Sequence, residues 1–314
     1  MAYSLAQLND AVRTDPQGFV QECDAAYNKK IDSAARKIAD NLKKSRIVLL
    51  SGPSGSGKTT TAKKIEARLE QMGINSHAIA MDNYFQTLDR ETCPRNREGD
   101  IDYESPFLLD MDLLNRHFNL LDKGEKILIP KFECARQMRS AIKSHPLQLG
   151  KDEIAIFEGI HALNDIISGK NPNASKVYIS ARSNVVDESG KMVFKGTWMR
   201  LERRTVRDAK FRAWEPDVTI KMWANVRRGE KLYISPFKDN ATIVFDSSLP
   251  YEVNVIRAFA QPLFEHLHLS PDMERFEEVG QLVEAYPKFE ILDEKYVAED
   301  SLIREFIGGG IYDD

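Results

Sequence analysis

Residues 46–60 read RIVLLSGPSGSGKTT, from Arg46 to Thr60, and this stretch decides the fold. Four consecutive apolar residues, Ile47–Leu50, run into a glycine-rich turn, a pattern that fits a buried strand. Gly52-Pro-Ser-Gly-Ser-Gly-Lys58-Thr59 then satisfies the spacing G-x-x-x-x-G-K-[ST], and a helical pattern follows to Met72, closed by Gly73. Strand, glycine-rich loop and helix in that order place backbone N–H groups where an anion can meet them. Side chains at Gly52, Gly55 and Gly57 would block a phosphate from the backbone. Ser54, Ser56 and Thr60 add hydroxyls, Lys58 adds a positive charge for the β- and γ-phosphates, and the Thr59 hydroxyl suits Mg²⁺. The spacing points to nucleotide binding and leaves the reaction open.

Working outward, Ser76–Met81, Lys126–Pro130, Glu153–Phe157, Lys176–Ser180 and Thr242–Phe245 read as further short strands. Helical patterns lie between them, notably Leu108–Leu121 and Thr197–Arg212. Short apolar strands alternating with helices predict an α/β fold of three layers, a P-loop fold around a central parallel sheet of about five strands. Residues 1–45 are helical in pattern, with Asp15-Pro16 as a helix start and Phe19, Cys23, Tyr27, Ile31, Ala35 and Ile38 at helical spacing. From Tyr251 the pattern is helical again. The reading is a helical extension at 1–45, a core at 46–250 with a lid around 197–215, and a helical segment at 251–314 packed on the core.

Composition narrows the function. The chain has 314 residues, 42% of them hydrophobic and 29% charged, with a formal net charge of −4. That is ordinary for a core-forming protein and argues against a generally basic nucleic-acid binder. Cys23, Cys93 and Cys134 are odd in number and without metal-ligand spacing, so reduced thiols are expected. The start lacks a signal-peptide pattern and no apolar run approaches ~18 residues. A cytoplasmic protein acting on a small molecule away from membranes is the expectation, with self-association left open.

Transfer to an acceptor hydroxyl needs a base, an acid near Mg²⁺ and cations over the moving phosphoryl group. Asp82 follows a strand, so it would face the γ-phosphate beyond the strand end. Glu158 closes the run Ile-Ala-Ile-Phe-Glu and would hold Mg²⁺ together with Thr59. Arg200, Arg203, Arg204 and Arg207 share one helical face. Residues 195–239 hold twelve Lys/Arg against six Asp/Glu, which fits a mobile lid closing on phosphates. The guanine-reading Asn-Lys-x-Asp is missing: the one Asn-Lys, Asn28-Lys29, runs into Lys30 and Ile31. That disfavours a GTP switch.

These stretches carry a resemblance. Gly52–Thr60, Met81-Asp-Asn-Tyr-Phe85, Asp102-Tyr-Glu-Ser-Pro106, Ile129–Glu133, Phe157–Asn164, Arg200–Asp208, Asn225–Glu230, Ile234–Lys238 and Arg304–Gly309 resemble, in order, the uridine kinase and phosphoribulokinase family, particularly its bacterial uridine-kinase-like members. The resemblance implies ATP and Mg²⁺, with Asp82 activating the acceptor hydroxyl and also lying at the metal, Glu158 at the metal, and Lys58, Arg204 and Arg207 on the phosphates. Glu104 stands where uridine kinases hold ribose hydroxyls with Asp, Arg139 matches a basic residue beside the substrate, and Pro236–Lys238 looks like the loop bordering adenine. Tyr84 and His161 are further acceptor-side candidates. Phe132 and Gln137 depart from a Tyr and a His that read the pyrimidine edge, and Arg212-Ala-Trp214 replaces an Arg-Gly-Arg.

A site built to hydrogen-bond one substrate rejects analogues that leave its polar groups unpaired. Three readings therefore stay open: a nucleoside kinase, a kinase of another polyhydroxylated acceptor such as a sugar, sugar phosphate or cyclitol, and a nucleotide-dependent RNA- or protein-binding module. Trp198, Trp214 and Trp223 read as helix packing. His266 and His268, two apart, propose no metal site, and Asp313-Asp314 reads as a solvated end.

Overall fold

The computed structural model describes residues 2–133, 136–267 and 276–312, so Cys134, His268, Asp313 and Asp314 lie outside the described residues. A short strand β1 (Ala2–Ser4) leads into α1 (Leu5–Thr14) and α2 (Pro16–Asn41). Asp15 starts α2 as read from the sequence: its carboxylate accepts from the Gly18 N–H at 2.9 Å and Pro16 occupies the first turn. β2 (Ile47–Ser51), α3 (Lys58–Gln71) and β3 (Asn75–Ala80) follow. Then come α4 (Met111–Asp122), β4 (Ile127–Glu133), β5 (Met138–Leu147), β6 (Glu153–Glu158), α5 (Asp165–Ser168) and β7 (Ser175–Ser180). β8 (Asn184–Val186) and β9 (Met192–Phe194) precede the long helices α6 (Gly196–Arg212) and α7 (Pro216–Gly229). β10 (Ile243–Asp246), α8 (Glu252–Glu265), α9 (Phe276–Ala285) and the short α10 (Arg304–Ile307) complete the set.

Five strands form one parallel sheet in the order β10-β7-β2-β6-β3. Side chains alternate across it with period two. In β2, Val48 and Leu50 face one core while Ile47 and Leu49 face the other; in β6, Ile154 and Ile156 oppose Ala155 and Phe157. The first core joins the sheet to α1, α2, α3, α6 and α8, and the second joins it to α4 and the β4–β5 hairpin. Both faces of the central strands are covered, so β2 and the middle of β6 are apolar on both sides, while the edge strand β3 carries Asn75, Ser76 and His77. Each apolar side chain taken from water contributes about 1.5–3 kcal/mol. The three-layer P-loop α/β fold is the one the sequence predicts.

Three expectations need correction. The strand read at Lys126–Pro130 lies outside the parallel sheet: β4 pairs antiparallel with β5, and Pro130 sits at a register irregularity where its missing N–H costs little. The N-terminal region is not wholly helical, because β1 pairs in parallel with β8. The helix of the expected lid, α6, is core-packed along its first three turns, with Trp198, Met199, Leu201, Val206, Arg200 and Arg203 buried. Only its last residues, Lys210, Phe211 and Arg212, are exposed.

The interior of α6 is tied down by charge. Arg203 and Glu252 of α8 are fully buried and meet through two charge-assisted bonds, at 2.5 and 2.6 Å. Removing one partner strands the other charge without water. Glu252→Ala is expected to lower unfolding free energy by about 3–5 kcal/mol; urea denaturation checks this, and a loss under about 1 kcal/mol would contradict the assignment of a buried pair.

Candidate active site

β2 sits between β6 and β7, with β3 beyond β6, so the chain crosses from one side of β2 to the other. Ligands of open α/β sheets lie outside the carboxyl ends of strands at such a crossover. Three adjacent strands deliver the loop Gly52–Gly57, Glu158 and Asp82 to that edge.

The loop's shape follows from its glycines and from what holds it behind. Gly55 (φ 72°) and Gly57 (φ 75°) are left-handed, a conformation that L side chains rarely adopt. A Cβ on Gly55 would also lie 2.7 Å from the Arg200 carbonyl. Arg200 donates to the Ser54 carbonyl and Arg203 to the Gly55 carbonyl, both at 3.2 Å, and the Ser247 hydroxyl donates to the Ser56 carbonyl at 2.7 Å. The loop's outer carbonyls are thereby taken up, while the N–H groups of Lys58 and Thr59 at the start of α3 lack helical acceptors and that of Thr60 is taken by Glu305. The buried Ser56 hydroxyl has no hydrogen-bond partner among the described residues.

The four arginines expected to touch phosphates divide. Arg200 pairs with Glu230 at 2.8 Å and Arg203 with Glu252, so both brace the loop from outside. Arg204 donates to the Ser54 hydroxyl at 2.8 Å, and Arg207 lies one turn further along at the cleft. Asp208, fully buried, gathers Arg204 (3.3 Å), Arg207 (3.0 Å) and Arg212 (3.2 Å), and accepts from Thr219. Asp208 was not singled out from the sequence, although its i,i+4 spacing to Arg204 and Arg212 is visible there.

Lys58 reaches toward Glu158, Nζ to Oε1 3.9 Å, and donates to the Pro53 carbonyl at 3.4 Å. Burial pushes the Glu158 carboxyl up to about 7, Lys58 partly offsets this, and Asp82 and Glu305 add to it. Asp82 lies in the turn Met81–Tyr84, its side chain open to solvent within a walled cleft. Burial among those walls raises its pKa, against the pull of Lys58 and Arg212. Thr59 is exposed at the start of α3. Hydroxyl plus carboxylates form a hard-oxygen set of the kind that suits Mg²⁺ held with phosphates and water. No cluster of three or more His, Cys, Asp or Glu fit to cage a metal occurs among the described residues. A buried carboxyl near pH 7 also gains from a cation beside it.

On the other side of the cleft, a cavity of about 640 Å³ is lined by Arg90, Asp102, Tyr103, Glu104, Asn225 and Arg228, among others. Asp102 accepts from Arg228 (2.6 Å) and the Tyr233 hydroxyl (3.0 Å), which fixes α7 to this loop. Gly229 makes room for Glu104: a Cβ there would meet the Glu104 Cβ at 2.3 Å. Burial pushes Glu104 up to about 7, against Arg204 and Lys58. His161 is buried edge-on to Tyr233 near the backbone of Glu104. Burial lowers its pKa to about 4, so the ring is neutral, and neither nitrogen has a well-formed hydrogen bond among the described residues.

Two acceptor-side expectations are corrected. Tyr84 is fully buried, its hydroxyl 2.9 Å from His117 Nδ1 and its ring tilted against Phe157, so it belongs to the core. Arg139 is engaged within the protein: it pairs with Asp110 at 2.9 Å and donates to the Tyr84 and Phe85 carbonyls, which stitches β5 to the turn after Asp82. Phe132 packs edge-on to Phe85 at 5.5 Å. Gln137, left-handed at φ 51°, donates to the Tyr103 hydroxyl at 3.4 Å. Ser235 and Lys238 edge a separate cavity of about 510 Å³ beside Pro53 and Lys195. No described helix is long and apolar enough to cross a membrane.

The model described as the Phosphoribulokinase / Uridine kinase family matches residues 47–253. A uridine kinase of Ureaplasma urealyticum serovar 10 is 28% identical over 204 residues, which span 65% of this chain and 88% of that protein. A uridine kinase of Staphylococcus aureus strain JH9 gives the same identity and coverage. Among solved structures, a Silicibacter sp. protein described as a fructose transport system kinase shares the fold at TM-score 0.50 and 19% identity, over 68% of this chain and 98% of that one.

The raised carboxyls predict a pH effect. Between about pH 4.5 and 7 the unfolded chain ionises Glu158 while the folded chain holds it neutral, so stability falls as pH rises through that window. Glu158→Gln is expected to flatten the fall, by up to about 3 kcal/mol at pH 7 without Mg²⁺. Urea midpoints across pH check it, and parallel curves for the two proteins would refute it.

Proposed function

The chain belongs to the phosphoribulokinase / uridine kinase family, and from that premise we propose that it moves the γ-phosphate of ATP in line onto a hydroxyl of a nucleoside-like acceptor. Its broader activity, an ATP-dependent kinase with a small-molecule hydroxyl acceptor, follows from that membership. The observation that carries the finer reading is the meeting of Lys58, Glu158 and Asp82 at the ends of three adjacent strands, with a cavity opening toward Glu104.

In this reading the N–H groups of Gly55–Thr60 and the Lys58 ammonium bind the donor phosphates. Arg204, anchored on Ser54, and Arg207 add positive charge where charge develops in the transition state. Asp82 takes or orients the acceptor proton, and its raised pKa makes it a stronger base than an ordinary carboxylate. Thr59 and Glu158, with Asp82 near them, would hold Mg²⁺, which would supply neutralisation of the phosphate charge when bound. Glu104, at the cavity, would meet acceptor hydroxyls, and neutral His161, buried behind it, would do so only with some rearrangement of the cleft wall.

A second reading is a polyhydroxylated acceptor other than a nucleoside. It is favoured by Phe132, which can stack on a ring but offers no hydroxyl, and by Gln137, which is engaged with Tyr103. ADP release with Mg–ATP across nucleosides, sugars, sugar phosphates and cyclitols separates the two. Stimulation by uridine or cytidine supports the first reading and stimulation by a non-nucleoside alone supports the second. With the acceptor found, Asp82→Asn is expected to lower turnover about 10²–10⁴-fold and keep ATP affinity. Unchanged turnover would remove Asp82 from its role.

A further inference from the structure

Thr60 is buried at the first turn of α3, and both of its donors are already occupied. Glu305 of α10 accepts from the Thr60 hydroxyl at 2.6 Å and from its backbone N–H at 3.3 Å. In a loop of this kind the backbone N–H groups cradle the α- and β-phosphates while the lysine reaches the β- and γ-phosphates, so the end of the series furthest from the γ-phosphate, at Thr60, is read as the α-phosphate position. A carboxylate of this chain therefore sits where the α-phosphate of a donor would bind.

The segment that brings it there is firmly seated. Leu302, Ile303, Phe306 and Ile307 are buried, and a Cβ on Gly57 would meet Leu302 Cδ1 at 2.3 Å, so the segment touches the loop itself. Lys64 pairs with Asp300 at 2.5 Å, Lys63 donates to the Tyr312 carbonyl at 2.7 Å, and the Tyr251 and Ser301 hydroxyls meet at 2.8 Å. Unseating four buried apolar residues is expensive beside rotating one glutamate. A cavity of about 440 Å³ adjoins Glu305, lined by Thr59, Thr60, Arg207, Arg212 and Arg304 among others. Three arginines against one further carboxylate, Glu299, give the displaced group a net positive lining.

We propose that Glu305 is an affinity-determining residue of the donor site: its carboxylate holds the α-phosphate donors of Thr60, and a nucleotide binds by turning it into the adjoining cavity. The proposal rests on the reading of Gly52–Thr60 as the donor-phosphate site. The carboxylate competes twice over, by occupying two hydrogen-bond donors and by repelling the incoming anion. No covalent step is involved, and α10 stays in place throughout.

The experiment is calorimetric titration of the full chain with Mg–ATP, comparing the unaltered protein, Glu305→Gln, Glu305→Ala and Lys58→Ala. Both Glu305 variants are expected to bind ATP more tightly, the Ala form about ten-fold or more, with a lower KM for ATP and little change in kcat. Equal or weaker binding by a folded Glu305→Ala, with Lys58→Ala still losing affinity, overturns the Glu305 proposal and leaves the donor site standing. ATP binding that ignores Lys58→Ala overturns the donor-site reading itself. Thermal unfolding shows which variants are folded. If Glu305→Ala is not, the near-isosteric Gln form decides the matter in the same way: tighter binding supports the proposal and unchanged binding overturns it.

Discussion

The buried ion pair between Arg203 and Glu252 is the constraint on which the site depends. A glycine-rich loop has many accessible conformations, and ordering it costs entropy that its own sparse contacts do not return. Here the bracing comes from outside. Glu252 fixes the Arg203 guanidinium, which then holds the Gly55 and Ser247 carbonyls, while Arg200, fixed by Glu230, holds the Ser54 carbonyl. With the carbonyls engaged behind the loop, the N–H groups of Gly55, Gly57, Lys58 and Thr59 are left for an anion, while that of Ser56 is bonded to the Pro53 carbonyl and that of Thr60 to Glu305. A buried charge pair need not add net stability over an apolar pair of the same shape, but an apolar pair could not grip carbonyls. On this account α6 serves as a buttress, a different part from the lid its arginines suggested.

The same helix sets the electrostatics. Asp208 collects three guanidiniums at the far end of α6 and offsets part of their mutual repulsion. Glu158, beside Lys58, and Glu104, at the neighbouring cavity, are both pushed to about 7 by burial. Carboxyls held near neutrality respond sharply to an added cation, which couples metal occupancy to their ionisation. Guanidiniums thus stand at the loop, with an acid of adjustable charge beside Lys58 (Glu158) and another at the neighbouring cavity (Glu104).

Much of this was legible in the sequence because local rules agreed with one another there. Ile47–Thr60 carries apolar run, glycine spacing and helix start together, and Asp82 and Glu158 each follow an apolar strand, so their place at the sheet edge follows once the strands are known. What was not legible depends on contacts distant in sequence. Tyr84 has an aromatic's usual ambiguity between core and pocket, and His117, 33 residues away, settles it. Arg139 looked free for a substrate, but Asp110 and two carbonyls claim it. Lys126–Pro130 has the pattern of a sheet strand, yet its partner lies in the next stretch of chain. Glu305 meets Thr60 across 245 residues, a contact that no local pattern announces.

The central claim is that the N–H groups of Gly55–Thr60, presented by the arginine-braced loop, bind the donor phosphates. Hydrogen–deuterium exchange on the full chain, with and without Mg–ATP, reads those amides directly. The account predicts fast exchange at Gly55, Gly57, Lys58 and Thr59 in the free protein and marked protection when Mg–ATP is added. Unchanged exchange at these amides under saturating ATP would contradict it.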